Sequence, residues 1–203
     1  MRSLLLFLCS LTLFSCELVK SKSLQQGDIV FHTSKSSQSK AIQLATNSPY
    51  SHCGIVFIKD GNVFVYEAVQ PVKLTSLSDW IKKGEKEHYV VKRLKNSESI
   101  LTKENLNKLY NAGLKYQGRD YDHFFQWSDD KIYCSELVWK VYHNALNLKL
   151  TDLESFGDFD FSHPQVREKL QERFHGNIPK KEQIVSPKAL FLSDKLETVY
   201  ESN

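Results

Sequence analysis

The sequence predicts an α+β domain in which a small antiparallel sheet comes from the first half of the chain and helices from the second. Three observations carry this. Strand-like runs bounded by turn residues cluster between Gly27 and Leu94. Apolar stripes at helical spacing dominate from Thr102 onward. Between two of the strands lies Lys59-Asp60-Gly61-Asn62, whose Asp-Gly pair is a strong signal for a tight antiparallel hairpin. Strands early and helices late fit an α+β layer arrangement better than alternating βα units.

The chain has 203 residues and opens with a segment of different character. Residues 1–15 carry one charge, Arg2, followed by an almost unbroken apolar run from Leu4 to Phe14, the pattern of a signal peptide. The run falls short of the roughly 20 apolar residues a membrane-spanning helix needs. It ends at Leu13-Phe14-Ser15-Cys16, which resembles a bacterial lipobox, so Cys16 is the expected lipidation site; the plainer alternative is an ordinary signal peptide cut nearby. Residues 16–26 would then be the lipidated cysteine and a tether, and residues 27–203 one domain, with enough chain for a single sizeable core. The expected address is the bacterial cell envelope, with the membrane as a partner through the anchor.

A net charge of +3 gives no support to nucleic-acid binding. Of the four cysteines, Cys9 would leave with the signal and Cys16 would carry lipid, which leaves Cys53 and Cys134. That pair supplies neither a disulfide framework nor zinc-ligand spacing, and no metal or cofactor is expected.

Within the domain, Gly27 to Phe31 begins the first strand and Ser36 to Asn47 reads as a helix with Ala41, Ile42, Leu44 and Ala45 apolar. His52 to Ile58 and Val63 to Val69 flank the Asp-Gly turn, and Tyr89 to Leu94 is a fourth strand. Thr75 to Lys83 reads as a short helix and Thr102 to Tyr116 as a longer one. The stretch Gln117 to Lys131 is loop-like and rich in aromatic and acidic residues. Cys134 to Leu146 forms a strongly striped helix, through Leu137, Val138, Val141, Tyr142, Ala145 and Leu146. Pro164 to Phe174 looks helical, and Ser186-Pro187 combines a cap with a proline at the first helical position.

The hairpin permits geometry. With Asp60-Gly61 as a two-residue turn, Ile58 faces Val63, Gly54 faces Glu67 and His52 faces Val69. Paired residues share a face, as do residues two apart on one strand, so His52, Gly54 and Glu67 lie on the same side. Glu67 is diagonal to His52, at about 7–8 Å, which its side chain can span. A histidine acting as general base needs an acceptor on its second nitrogen to fix tautomer and orientation, and Glu67 is placed to be one. Cys134 starts a helix, where free amides and the helix dipole favour thiolate, the reactive form. Cys53, next to His52, should point to the opposite face and belong to the core.

Gly27-Asp28-Ile29-Val30-Phe31, Pro49-Tyr50-Ser51-His52-Cys53-Gly54-Ile55-Val56, Val65-Tyr66-Glu67-Ala68-Val69 and Ile132-Tyr133-Cys134-Ser135-Glu136-Leu137-Val138 resemble, in this order, the YiiX-like permuted papain-like amidases, circularly permuted relatives of NlpC-type cell-wall peptidases. The resemblance implies a papain-like core in which the cysteine helix packs on an antiparallel sheet bearing the histidine and its acidic partner. By motif it makes Cys134 nucleophile, His52 base and Glu67 the orienting group. Tyr50, Tyr133, Tyr121 and Asp122 are candidate cleft residues.

The expected activity is amide hydrolysis through an acyl-enzyme, first of all on cell-wall peptides. The alternatives are hydrolysis or transfer of acyl groups on lipid amides or esters, and a non-catalytic envelope binder. An apolar groove beside Cys134 would favour the lipid alternative, and a polar cleft with an anchoring charge would favour peptide.

Overall fold

The computed structural model describes residues 24–202. The expected signal segment, Cys16 and most of the tether lie outside them. The central feature is a six-stranded sheet in the order β10-β5-β1-β2-β3-β4. Its strands are β1 (Ile29–Ser34), β2 (His52–Lys59), β3 (Asn62–Glu67), β4 (Lys73–Ser76), β5 (Gly84–Leu94) and β10 (Leu196–Glu201), and every neighbouring pair is antiparallel. Short bridges pair β6 (Asp120–Tyr121) with β7 (Lys131–Ile132), and β8 (Glu154–Ser155) with β9 (Gln183–Ile184).

The helices are α1 (Ser39–Thr46), α2 (Leu77–Lys82), α3 (Ser97–Ile100), α4 (Lys103–Leu114), α5 (Cys134–Leu146), α6 (Pro164–Phe174) and α7 (Pro187–Phe191). Strand alternation divides the sheet into two faces. Ile29, Phe31, Cys53, Ile55, Phe57 and Tyr66 point into the larger core, which α5 closes with Leu137, Val138, Val141 and Tyr142. Val30, Val56, Val65, Tyr89 and Val91 point the other way and pack on Trp80 of α2.

The hairpin forms with the expected register: Ile58 pairs with Val63 and Ile55 with Tyr66. Asp60 (φ 51°) and Gly61 (φ 76°) take the positive φ values that a twist-matched two-residue turn demands. The ladder ends sooner than expected, however. β3 stops at Glu67, which pairs with Lys73 of β4, so Val69 never reaches a position opposite His52.

One other expectation changes, and the structure adds a strand for which the sequence carries no reading. The helix expected from Thr75 begins at Leu77, because Thr75 belongs to β4 and the Ser76 hydroxyl accepts the Asp79 amide as an N-cap at 3.2 Å. The chain after Leu192 forms β10 against β5, with the Tyr89 amide donating to Ser202 Oγ at 2.9 Å and the Ser202 amide to the Tyr89 carbonyl at 3.0 Å. By contrast α5, α6 and the Ser186 cap of α7 start where the sequence places them.

Candidate active site

His52 is the first residue of β2, and its pairing with His32 of β1 puts both rings on the Trp80 face of the sheet. His32 stacks flat on Trp80 with centroids 4.0 Å apart, and the His52 ring lies 5.2 Å from His32. Burial, reinforced by the charge of His52, holds His32 neutral with its pKa lowered to about 2. It is a wall of the site and stays an uncharged imidazole.

Glu67 reaches His52 diagonally, as the hairpin arithmetic requires: His52 Nε2 lies 2.7 Å from Glu67 Oε2. Gly54 makes the crossing possible, since a Cβ there would sit 2.5 Å from Val65 Cγ1 and 2.8 Å from the Tyr66 carbonyl. Glu67 is fully buried, and its other oxygen accepts from Thr75 Oγ1 at 2.5 Å and Lys83 Nζ at 2.9 Å. Burial alone would raise its pKa; the hydrogen bond and charge of His52, with Thr75 and Lys83, overcome this and hold it at about 2.

Cys134 arrives from the other face, at the first turn of α5, where backbone amides lack intrahelical acceptors. Tyr133 precedes it as the N-cap, and the Tyr133 amide donates back to Glu136 Oε2 at 3.3 Å. The two faces meet at the start of β2. Cys53 turns toward α5 and stabilises the Cys134 thiolate through its thiol and its backbone amide, while His52 does so with its ring. With Nε2 committed to Glu67, Nδ1 is the nitrogen left for Cys134.

These contacts lower the Cys134 pKa well below that of an ordinary thiol; the Cys53 thiol is the largest cause, burial opposes it, and His52 adds to the lowering. Burial would depress His52, but hydrogen bonds to Cys134 and Glu67 raise it to about 10. Both shifts favour the thiolate–imidazolium form of the pair. Cys53 is in the core as expected, yet it also touches Cys134, and burial together with the Cys134 charge keeps it protonated.

An apolar pocket of about 80 Å³ opens onto Cys134 between α1 and α6, lined by residues such as Ala41, Ala45, Phe156, Phe161, Leu170 and Ile184. On the His52 side lies a second pocket, whose lining includes the polar residues Ser34, Ser36, Gln70, Lys83 and His123. Tyr121 and Gln38 border both.

The other cleft candidates separate clearly. Tyr133 lines the apolar pocket and its hydroxyl accepts the Val185 amide at 3.1 Å. Tyr50 lines neither pocket; its ring packs on Phe191, centroids 4.3 Å apart, so it serves the core. Asp122 also lines neither; its carboxylate takes the amides of Phe124 (2.8 Å) and Gln126 (2.6 Å) and shapes the loop. Thr75, Lys83, Gln38 and the Cys53 contact are neighbours of the candidate site that sequence reasoning missed.

A thiolate at a helix start, paired with an imidazolium held by a buried carboxylate, defines a papain-like cysteine hydrolase. The chain belongs to the family described as permuted papain-like amidase enzymes, YaeF/YiiX, C92 family, whose model matches residues 23–200. It is 50% identical over 175 residues to a protein described as uncharacterized protein YiiX of Escherichia coli K12, covering 86% of this chain and 85% of that one. It also matches a crystal structure described as metalloprotein YiiX from Escherichia coli O157:H7, with a TM-score of 0.84 and 48% identity over 89% of this chain and 98% of that one. Among the described residues of this chain no group of three or more His, Cys, Asp or Glu side chains could hold a metal ion. His52 Nε2 and Glu67 Oε2 are spent on each other. Among the described residues, the donors present do not fit a metal.

Proposed function

We propose that this cysteine hydrolase cleaves an amide or ester whose acyl part is apolar and whose leaving group is polar. The observation that carries this is the apolar pocket opening onto Cys134. Its volume of about 80 Å³ and its lining of alanine, phenylalanine, leucine and isoleucine side chains suit an apolar acyl group. Cell-wall peptide, the first expectation, rests on cellular address alone. The assembled pair of Cys134 and His52 speaks against a purely binding role.

The chemistry follows from the ion pair. Cys134 Sγ attacks the carbonyl carbon, and the developing oxyanion is met by the Cys134 amide at the helix start and the Tyr121 hydroxyl. The His52 imidazolium then protonates the leaving amine or alcohol, which departs into the pocket on the His52 side. Neutral His52 next deprotonates a water that attacks the thioester, and the tetrahedral intermediate collapses to release the acid and restore the thiolate. Glu67 holds the ring in one orientation throughout. Lipidation at Cys16 would bring the pocket to a bilayer surface, where acyl substrates concentrate.

The test is incubation of the protein, and of its Cys134→Ala variant, with N-octanoyl amino acids and in parallel with muropeptides. Release of octanoate by the parent alone is expected. Turnover of muropeptides without release of octanoate would overturn the acyl reading, and turnover surviving Cys134→Ala would overturn the mechanism.

A further inference from the structure

The donor and acceptor inventory around Tyr121 has one consistent solution. Arg173 Nη2 donates to Gln38 Oε1 at 2.6 Å, and a guanidinium can only donate. The Gln38 carbonyl oxygen is therefore fixed toward Arg173, and its NH₂ is turned to the Tyr121 hydroxyl, to which Nε2 donates at 3.0 Å. The Tyr121 oxygen thus accepts on that side, and its own proton is free to be given elsewhere. The backbone of Tyr121 is held too: its amide donates to Gln70 Oε1 at 2.8 Å, and β6 pairs Tyr121 with Ile132, two residues before Cys134. The ring is buried at the boundary of the two pockets.

We propose that Gln38 and Arg173 are positioning residues that lock the Tyr121 hydroxyl as a proton donor facing the acyl carbonyl at Cys134. The proposal rests on Tyr121 serving the oxyanion as described above. Without Arg173 the Gln38 amide is free to flip, present its oxygen, and draw the Tyr121 proton away from the site. The three residues come from the β1–α1 loop, from β6 and from α6, so this device joins the helices that flank the apolar pocket to the reacting centre.

The decisive variant is Gln38→Glu. It is isosteric and strengthens the pairing with Arg173, but it puts an acceptor where Tyr121 needs a donor. The full chain is assayed with p-nitrophenyl acetate, whose two-carbon acyl group makes no demand on the nature of the pocket, and with iodoacetamide, whose reaction with Cys134 forms no oxyanion. Tyr121→Phe is expected to lower kcat by ~10²-fold, as loss of an oxyanion donor does. Gln38→Glu should lower kcat by about tenfold or more with KM nearly unchanged, and Arg173→Met should do the same. Iodoacetamide rates should stay within about twofold of the parent, since the thiolate is untouched.

Full activity in Gln38→Glu with Tyr121→Phe impaired would overturn the relay and leave the oxyanion reading standing. Full activity in Tyr121→Phe would overturn both. Equal losses in esterase and alkylation rates would mean that the variants disturb the thiolate or the fold, and would overturn the proposal in its stated form.

Discussion

At the scale of single residues, the site works by holding two charges where burial alone would forbid them. Cys134 is deprotonated because Cys53 and His52 donate to it, and His52 is protonated because Cys134 and Glu67 accept from it. An ordinary thiol gains about tenfold in thiolate for each pH unit below its pKa of about 8.5. Iodoacetamide labelling of Cys134 should instead be nearly flat from pH 6 to 8, and Cys53→Ala should restore part of the pH dependence by raising the Cys134 pKa. A labelling rate that climbs like that of a free thiol would contradict the ion pair. Glu67→Gln should keep the fold, read by circular dichroism, and lower kcat by roughly 10²-fold or more through loss of the ring's orientation and of its charge partner. The same substitution bears on acid stability. A carboxylate held near 2 in the folded state, against 4.5 as its ordinary value, stabilises fully above 4.5 and loses that contribution as pH falls toward 2. Glu67→Gln should therefore flatten the denaturation midpoint across that window.

At the scale of elements, what was legible was whatever a local rule determines. Asp60-Gly61 fixed the turn type, the turn fixed the register, and the register put His52 and Glu67 within reach, now at 2.7 Å. The apolar stripe from Cys134 and the Ser186-Pro187 cap likewise set helix starts. Edge strands escaped, because Leu196–Glu201 is mostly solvent-facing and Lys73–Ser76, at four residues, is too short to show a two-face alternation. With β4 went Thr75, and so one of the partners that hold Glu67. Alternation correctly turned Cys53 away from the His52 face, but it could not reveal that the nucleophile would be packed against that second face. Gln38 and Arg173 lie 135 residues apart and meet only once α1 and α6 flank the pocket. Gly54 gives this scale its prediction. A methyl group there meets Val65 and the Tyr66 carbonyl, so Gly54→Ala must spread the β2–β3 hairpin where Glu67 crosses. A loss of about 1–3 kcal/mol in chemical denaturation is expected from such overpacking, together with an activity loss larger than the stability loss explains.

At the scale of the whole molecule, the sheet is a partition with chemistry at its rim. One face carries His52 and Glu67 over Trp80, the other carries the helix that starts at Cys134, and the two pockets open on either side of the meeting point. Turnover requires both charges at once. kcat/KM should fall as pH rises through about 10, where the His52 imidazolium is lost, and should fall again in acid once Cys134 takes up its proton. A profile rising steadily past pH 10 would mean that hydroxide, not the ion pair, does the work. Filling the apolar pocket tests the proposed acyl site from the other side. Ala45→Phe, which adds a ring from α1 into the space facing Phe161 and Leu170, should shift preference from octanoyl toward acetyl esters by about tenfold. Equal effects on both esters would mean that the chain does not lie there.

Cys53 has a use that lies outside catalysis. It is completely shielded between β1, β2 and α5, whereas Cys134 sits at the floor of an open pocket. In a Cys134→Ala chain, modification of Cys53 therefore requires the sheet and α5 to separate. Its labelling rate, set against that of a thiol in an unfolded peptide, measures how often the core opens under native conditions. The same residue that tunes the nucleophile is a built-in clock for the opening of the fold.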